Sequence, residues 1–368
     1  MRIVYLLTTL GIGGTERLVL ALAERMAARG HEVRIVTLAG EPAEQWPTRL
    51  DVVHLEVDRN PLRVLRGLMR GAGVVRRFRP QILHSHNFHG NLFARGIKMA
   101  WPPVRVISTV HNEYEGGSAR MLALQLTDGL SERSVAVSEA VAERALELGI
   151  VPARKCSVIS NGIDVAQFTP NAARRARLRA EMGAGEDFIW LTAGRVVPAK
   201  DYVNLLRAYF LVHGAAKGTQ LWIAGQREGE YAEAMRYLAE ELGIDGSVRW
   251  LGMRTDMAAL LDGADGFVMA SAWEGMPLAV AEAMAMRKPL VATGVGGVSE
   301  LMDKCGLVVP PRNAEALARA MLSIVHTPPE AREFLGGAAR ERVAEHFNMD
   351  AKADAWEAVY REVAREKQ

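Results

Sequence analysis

Two carboxylates bracket the stretch Glu274-Gly-Met-Pro-Leu-Ala-Val-Ala-Glu282. It follows Gly266-Phe-Val-Met-Ala270, a short apolar run that reads as a buried parallel strand. It then opens a helix, and Pro277 suits the first helical position, where a missing N–H costs nothing. The backbone donors from Gly275 through Met276 and Leu278 to Ala279 would be free at the positive end of the helix dipole, a ready site for an anion such as a diphosphate. Glu274 falls in the loop at the mouth of that site, and Glu282 falls about two turns into the helix. The helix is otherwise Ala, Met, Val and Leu, and a carboxylate there costs free energy unless it has a partner. Both are expected to accept hydrogen bonds from ligand hydroxyls. The plainer alternative is one loop glutamate and one solvated helix glutamate.

Further chemistry-bearing groups follow strands that would share a sheet with this one. Arg195 and Lys200 follow Phe188 to Ala193; Gly225 to Gly229 follows Leu221 to Ala224; Gly252-Met253-Arg254 follows Val248 to Leu251; Gly294 to Gly297 follows Pro289 to Thr293. One edge would then offer two cations, a helix dipole, glycine loops and two carboxylates. A nucleoside diphosphate sugar needs all four: cations and amides for the phosphates, loop amides for the base, carboxylates for the sugar and ribose hydroxyls. No D-x-D motif is present to carry Mg²⁺, so the reading expects Arg195 and Lys200 to stabilise a departing phosphate directly, without metal or cofactor.

The first half of the chain carries a separate set. Ile3 to Thr8 reads as a strand, Gly11, Gly13 and Gly14 as a glycine turn, Thr15-Glu16 as the start of a helix to Arg29, and Val33 to Leu38 as the next strand, which together form a βαβ unit. A dinucleotide fingerprint would require glycine at position 16, where Glu16 stands, and no acidic residue closes the second strand. The turn therefore fits close approach to a phosphate or sugar, or a tight turn alone. Gln81 to His84 reads as a strand, followed by Ser85-His86-Asn87-Phe88-His89; these histidines lack an adjacent carboxylate, which argues against a metal site. His111 closes the strand Val104 to Val110, at the end where open α/β sheets bind ligands; a satisfied loop histidine is the alternative. From Arg59 to Asn112 there is no Asp or Glu, and Arg63, Arg66, Arg70, Arg76 and Arg77 share a helical stretch with Leu62, Leu65, Leu68 and Met69. That pattern suits an anionic acceptor or an anionic membrane surface, with a solvated arginine face as the alternative.

The elements that position these groups alternate strand and helix twice. Ser134 to Val137 and the Ser138-capped helix Glu139 to Leu148 lead to the turn Asn161-Gly162, and the pattern restarts at Phe188 and runs to Leu307 to Val309. Two doubly wound α/β domains facing a cleft are expected, at 1–165 and 166–349, with an amphipathic helix over 350–368 folding back onto the first. At 368 residues, 49% apolar, 24% charged and net charge +2, the chain suits a two-core soluble protein with no general affinity for nucleic acid. Two distant cysteines, Cys156 and Cys305, show no metal or redox spacing and suit a reducing cytosol. No apolar run reaches the ~20 residues of a membrane span, and Met1-Arg-Ile-Val-Tyr-Leu-Leu reads as a strand rather than a signal peptide.

In this order, Gly13-Gly14-Thr15-Glu16, Thr109-Val110-His111, Ser160-Asn161-Gly162-Ile163-Asp164, Gly194-Arg195 with Lys200, and Glu274 to Glu282 resemble the retaining GT-B glycosyltransferases of family 4, over nearly the whole length. The resemblance implies a donor-binding C-terminal domain and an acceptor-binding N-terminal domain. It implies that Arg195 and Lys200 contact the diphosphate, with Gly14 approaching from across the cleft. Glu274 and His111 would touch the donor sugar, Glu282 would hold the ribose, and Gly225, Met253, Gly275, Met276, Pro277 and Leu278 would line the donor. The implied reaction moves a hexose or N-acetylhexosamine from a UDP-linked donor to a glycan or lipid-linked acceptor of a cell-surface polysaccharide or glycolipid. The enzyme would be cytoplasmic and peripheral on the inner membrane face. A GT-B epimerase or a catalytically silent nucleotide-sugar-binding subunit are the alternatives. Two departures stand out: Gln226-Arg227, where relatives often place an acidic residue, and Asp201, where a glycine is common after the lysine.

Overall fold

The computed structural model describes residues 1–11, 13–40, 48–114, 116–226 and 228–365. Arg227 and the end of the expected 350–368 helix therefore lie outside the described residues. The chain divides into two compact units, Met1–Gly162 with Met349–Gln368, and Ile163–Asn348.

The first unit runs β1 (Arg2–Leu7), α1 (Gly14–Ala28), β2 (Glu32–Thr37), β3 (Asp51–His54), α2 (Pro61–Phe78), β4 (Ile82–His86), α3 (Asn87–Ala100), β5 (Arg105–Val110), α4 (Ser118–Thr127), β6 (Arg133–Ala136), α5 (Glu139–Glu147) and β7 (Cys156–Val158). All pair in parallel, in the order β3-β2-β1-β4-β5-β6-β7. Such sheets are covered on both faces, so their central strands read as near-continuous apolar runs. Ile3, Tyr5 and Leu7 face one side of β1, and Val4 and Leu6 the other. The second side packs against α2 and α3 through Val74, Val75, Phe93 and Ile97.

The second unit runs α6 (Ala172–Glu181), β8 (Phe188–Ala193), α7 (Tyr202–Ala215), β9 (Thr219–Ala224), α8 (Glu230–Glu241), β10 (Val248–Gly252), α9 (Met257–Gly263), β11 (Gly266–Met269), α10 (Leu278–Ala285), β12 (Leu290–Thr293), α11 (Val298–Met302), β13 (Leu307–Val309), α12 (Ala314–His326) and α13 (Pro329–His346). Its parallel sheet has the order β10-β9-β8-β11-β12-β13. The final helix, α14 (Met349–Arg365), belongs to the first unit, where Met349, Ala353, Trp356, Tyr360 and Val363 join the core formed by Ile3, Tyr5 and Leu7. Arg25 of α1 and Arg29 at its C-terminal cap pair with Asp350, Asp354 and Glu357 of α14.

The two doubly wound sheets match the expected architecture, and most strands shift by a residue or two. Two strands have no counterpart in the sequence reading. β3 is a half-exposed edge strand opening on Asp51, and β7 is a three-residue edge strand. β4 also extends through Ser85 and His86, residues that read as loop because they are polar.

Candidate functional site

In each open sheet the strand order reverses beside one central strand, and a crevice opens there outside the carboxyl ends of the strands. In the second unit that point lies between β8 and β11. The loop after β8 carries Gly194, Arg195 and the 3-10 turn Pro198–Lys200; the loop after β11 carries Ser271 to Pro277. The amide of Ala272 donates to the Ala199 carbonyl at 2.9 Å, tying the loops together. Lys200 Nζ lies 2.5 Å from Glu274 Oε1, and the Ser271 hydroxyl donates to the same oxygen at 2.6 Å. Thr293 at the end of β12 donates to the Ser271 carbonyl at 2.7 Å. Glu274 is 9% exposed, so its charge rests on these two donors. Arg195 is exposed, and among the described residues its guanidinium has no hydrogen-bonded or ion-paired partner.

Beside this pair α10 begins at Leu278, one residue later than expected. Pro277 is the cap residue rather than the first helical one, because its backbone is extended (φ −75°, ψ 114°). Among the described residues no side chain caps the helix, which leaves its first-turn N–H groups without a side-chain acceptor. Eight residues suffice for a dipole that favours an anion there. Glu282 is the fifth residue of the helix, about one turn in rather than two. It is 2% exposed, on a helix buried from Val280 to Ala285, so the solvated-glutamate alternative does not hold for it. Gly275, Met276 and Pro277 are buried, Leu278 is half-buried and Met253 is half exposed. Arg254 is engaged by Asp256 through two hydrogen bonds.

The glycines of this edge have structural reasons of their own. A Cβ on Gly225 would sit 1.8 Å from the Gly194 carbonyl oxygen, so the β9 and β8 loops touch backbone to backbone. Gly296 adopts φ +52°, and a Cβ there would meet the Glu274 carbonyl at 2.4 Å. Its neighbour Gly297 donates to the Gly275 carbonyl at 2.6 Å. The glycine run after β12 thus braces the loop that carries Glu274. Asp201 lies in the left-handed region (φ 44°), the conformation glycine favours, and its side chain caps α7 at Asn204.

In the first unit, Gly13 caps α1, exposed Gly14 is its first residue, and the Glu16 carboxylate folds back over Gly13. His111 follows β5 and is buried; its Nε2 lies 3.0 Å from His86 Nδ1. Burial lowers His111 to about 4 and His86 well below the usual histidine range, so both rings are neutral at pH 7. A buried relay runs beside them: Tyr5 Oη to Tyr360 Oη at 3.1 Å, Tyr360 Oη to His84 Nδ1 at 2.7 Å, and His84 Nε2 to Thr109 Oγ1 at 2.7 Å. Among the described residues no group of three or more His, Cys, Asp or Glu side chains is placed to hold a metal ion.

The acid-free stretch is less cationic in space than in sequence. Arg63 pairs with Asp58 at 2.9 Å and Arg70 with Glu56 at 3.1 Å, carboxylates just before the stretch. Arg95 is buried against Asp128, and Lys98 and Arg105 share Glu132. Arg76 lies 5.9 Å from the Trp101 ring centre. Arg66 and Arg77 keep no carboxylate partner among the described residues. Leu62, Leu65 and Met69 of α2 are 74%, 55% and 61% exposed.

Residues that sequence reasoning missed are Ser271, Thr293, Tyr202 (whose hydroxyl donates to the Gly194 carbonyl at 2.9 Å) and His86. Ser271 had a local signal, the S-x-x-E spacing to Glu274 that elsewhere marks a helix cap. The others meet their partners only through the tertiary fold.

Two family models match the chain: Glycosyltransferase Family 4 over residues 12–167 and Glycosyl transferases group 1 over residues 175–342. The chain is 27% identical to a glycogen synthase of Mycobacterium tuberculosis (strain ATCC 25618 / H37Rv), covering 95% of this chain and 91% of that one. It is 27% identical to the lipopolysaccharide core biosynthesis glycosyltransferase LpsE of Rhizobium meliloti (strain 1021), covering 94% of each. Among solved structures it superimposes on HepE from Anabaena in complex with UDP-glucose with a TM-score of 0.87 and 19% identity, over 98% of this chain and 100% of that one.

Proposed function

We propose, starting from the fact that this chain belongs to the family 4, group 1 glycosyltransferases of GT-B fold, that it moves a hexose or N-acetylhexosamine from a UDP-linked donor to a glycan or lipid-linked acceptor with retention of anomeric configuration. The observation that carries the reading is the Lys200–Glu274 pair at the switch point, beside the start of α10 and Arg195, which have no side-chain cap and no ion-paired partner, respectively, among the described residues. Arg195, Lys200 and the α10 amides bind the diphosphate. As the bond between the anomeric carbon and the phosphate oxygen breaks, its electron pair moves onto that oxygen, and these groups stabilise the charge without a metal. The acceptor hydroxyl attacks the same face, and its proton passes to the departing phosphate. Lys200 drawn towards phosphate releases Glu274 to accept hydrogen bonds from the donor sugar, while Glu282 accepts from the ribose. Gly225, Met253, Gly275, Met276, Pro277 and Leu278 line the donor; His111 and Gly14 serve it from the first unit. The family supports transfer over the epimerase and silent-subunit alternatives, HepE's UDP-glucose supports the base, and LpsE supports a lipopolysaccharide-type acceptor.

The test is turnover of nucleotide sugars by Glu274→Ala and Lys200→Ala. Each variant is expected to lose about a hundredfold or more in kcat while remaining folded. Near wild-type turnover in either variant would remove the assignment.

We also assign α2 to the anionic face of a membrane bearing the acceptor, with the enzyme cytoplasmic and peripheral. Among the described residues no helix is long and apolar enough to cross a membrane. Leu62, Leu65 and Met69 would enter the headgroup region, and Arg66, Arg76 and Arg77 would meet lipid phosphates. Co-sedimentation with anionic vesicles should fall on Leu65→Asp with Arg66→Glu and on raising salt; equal partitioning to neutral vesicles contradicts the assignment.

A further inference from the structure

His86 has no role in the reading above, yet its placement is unusual. The two-residue period of β4 puts His84 and His86 on the face that carries Ile82, Tyr5 and Tyr360. The His86 ring is held at 4.1 Å from His84, 6.3 Å from Tyr5 and 5.3 Å from His111, measured between ring centres. It is 2% exposed. Its Nδ1 meets His111 Nε2, and its own Nε2 is buried with no hydrogen-bond partner among the described residues.

Only two proton arrangements are open to this neutral pair. In one, His111 Nε2–H donates to His86 Nδ1, and His86 must then carry its own proton on Nε2, as a buried N–H with nothing to receive it. In the other, His86 Nδ1–H donates to His111 Nε2, and His86 Nε2 is a bare acceptor. Buried N–H groups without acceptors are rarer than under-used acceptors, so the second arrangement is favoured. It puts the proton of His111 on Nδ1. That nitrogen has no partner among the described residues and is the one left for a ligand.

We propose that His86 is a positioning residue that fixes His111 in its Nδ1–H tautomer, so that His111 meets the donor sugar as a hydrogen-bond donor to a sugar oxygen, and not as a base. The inference rests on the reading that His111 faces the donor. Neutral rings at pH 7 agree with a pair that shares one hydrogen bond rather than a charge. His84 takes no part in the choice, because both its nitrogens are already engaged by Tyr360 and Thr109.

The test is long-range ¹H–¹⁵N correlation on full-length protein labelled at histidine nitrogens, with His111 identified by loss of its signals in His111→Asn. In the wild type, His111 Nδ1 should resonate as protonated and Nε2 as unprotonated. His86→Leu removes the donor and should convert His111 to a mixture of tautomers. It should lower kcat and kcat/KM together, about tenfold for one lost hydrogen bond, with KM little changed. His86→Asn places an amide N–H where Nδ1–H stood, and should restore both the tautomer and turnover to within about threefold. A wild-type His111 protonated on Nε2 overturns the proposal, and so does a His86→Leu protein whose His111 stays wholly Nδ1–H. An Nδ1–H His111 combined with wild-type kinetics in His86→Leu and His111→Ala overturns the placement of His111 at the donor, and the catalytic half of the proposal with it. If His86→Leu does not fold, the wild-type and His86→Asn spectra still decide the tautomer.

Discussion

Removing Lys200 should expose how much Glu274 depends on it. In Lys200→Met the 9%-exposed carboxylate keeps, among the described residues, only the Ser271 hydroxyl as donor, at 2.6 Å. Breaking a buried pair by deleting one partner costs about 3–5 kcal/mol. Here the Lys200 side chain is 26% exposed and the serine bond survives, which lowers the expected cost to about 1–3 kcal/mol. Glu274→Gln is milder, about 0.5–1 kcal/mol, because Lys200 can turn to water and the amide oxygen can still accept from Ser271. The double variant Lys200→Met/Glu274→Gln no longer buries an uncompensated charge, so the two changes should couple by about 1–2 kcal/mol. The two-unit chain is a poor case for two-state denaturation, so the readout is hydrogen exchange of β8 and β11, which reports the opening of this sheet. Ligand binding separates the roles further. Glu274→Gln should bind nucleoside diphosphate as tightly as the wild type and still lose transfer, because the cation is released but the sugar acceptor is weakened. Lys200→Met should lose both. Additivity of the single changes within about 0.5 kcal/mol would refute the reasoning.

Two other outcomes test the frame around the pair. Gly225→Ala drives a methyl onto the Gly194 carbonyl, and overpacking of that kind costs about 1–3 kcal/mol, whereas Gly214→Ala, with nothing within 4 Å among the described residues, should be neutral or stabilising by the same hydrogen-exchange readout. Burial, then the nearby Arg175, lowers the Lys288 ammonium to about 8. Below pH 8 it is charged in folded and unfolded chains alike and the folded state carries the full cost. From pH 8 towards 10 only the unfolded chain holds the proton, so stability should rise, by about 3 kcal/mol at most over the full shift. Above pH 10 the raised tyrosines Tyr202 and Tyr209 pull the other way. Lys288→Met should flatten the rise measured by urea unfolding between pH 8 and 10.

Central strands were legible because burial on both faces leaves continuous apolar runs, as in Ile189 to Leu191 and Phe267 to Met269. The edge strands β3 and β7 were not, because short, half-exposed strands have neither run nor clear alternation. Ser85 and His86 read as loop because they are polar, and the partners that satisfy them, Asn91 and His111, are brought in only by the fold. The acid-free arginine stretch suggested a cationic surface, but it begins three residues after Glu56 and one after Asp58, which pair with Arg70 and Arg63, and it could not show Arg95 turned inward to Asp128. Lys200 and Glu274 were visible as separate signals after two strands. Their contact follows from strand order, which brings the ends of β8 and β11 together.

The central claim is that the β8–β11 edge binds a nucleoside diphosphate sugar through Lys200. The most direct measurement is the melting temperature of full-length protein across a panel of UDP-, GDP- and ADP-linked sugars, with Lys200→Ala alongside. Ligand at ~100 times its Kd stabilises the folded state by about 2.7 kcal/mol, so UDP-linked donors should raise the wild-type transition by several degrees and leave Lys200→Ala nearly unmoved. No rise with any nucleotide sugar at millimolar concentration, or an equal rise in the variant, would contradict the account.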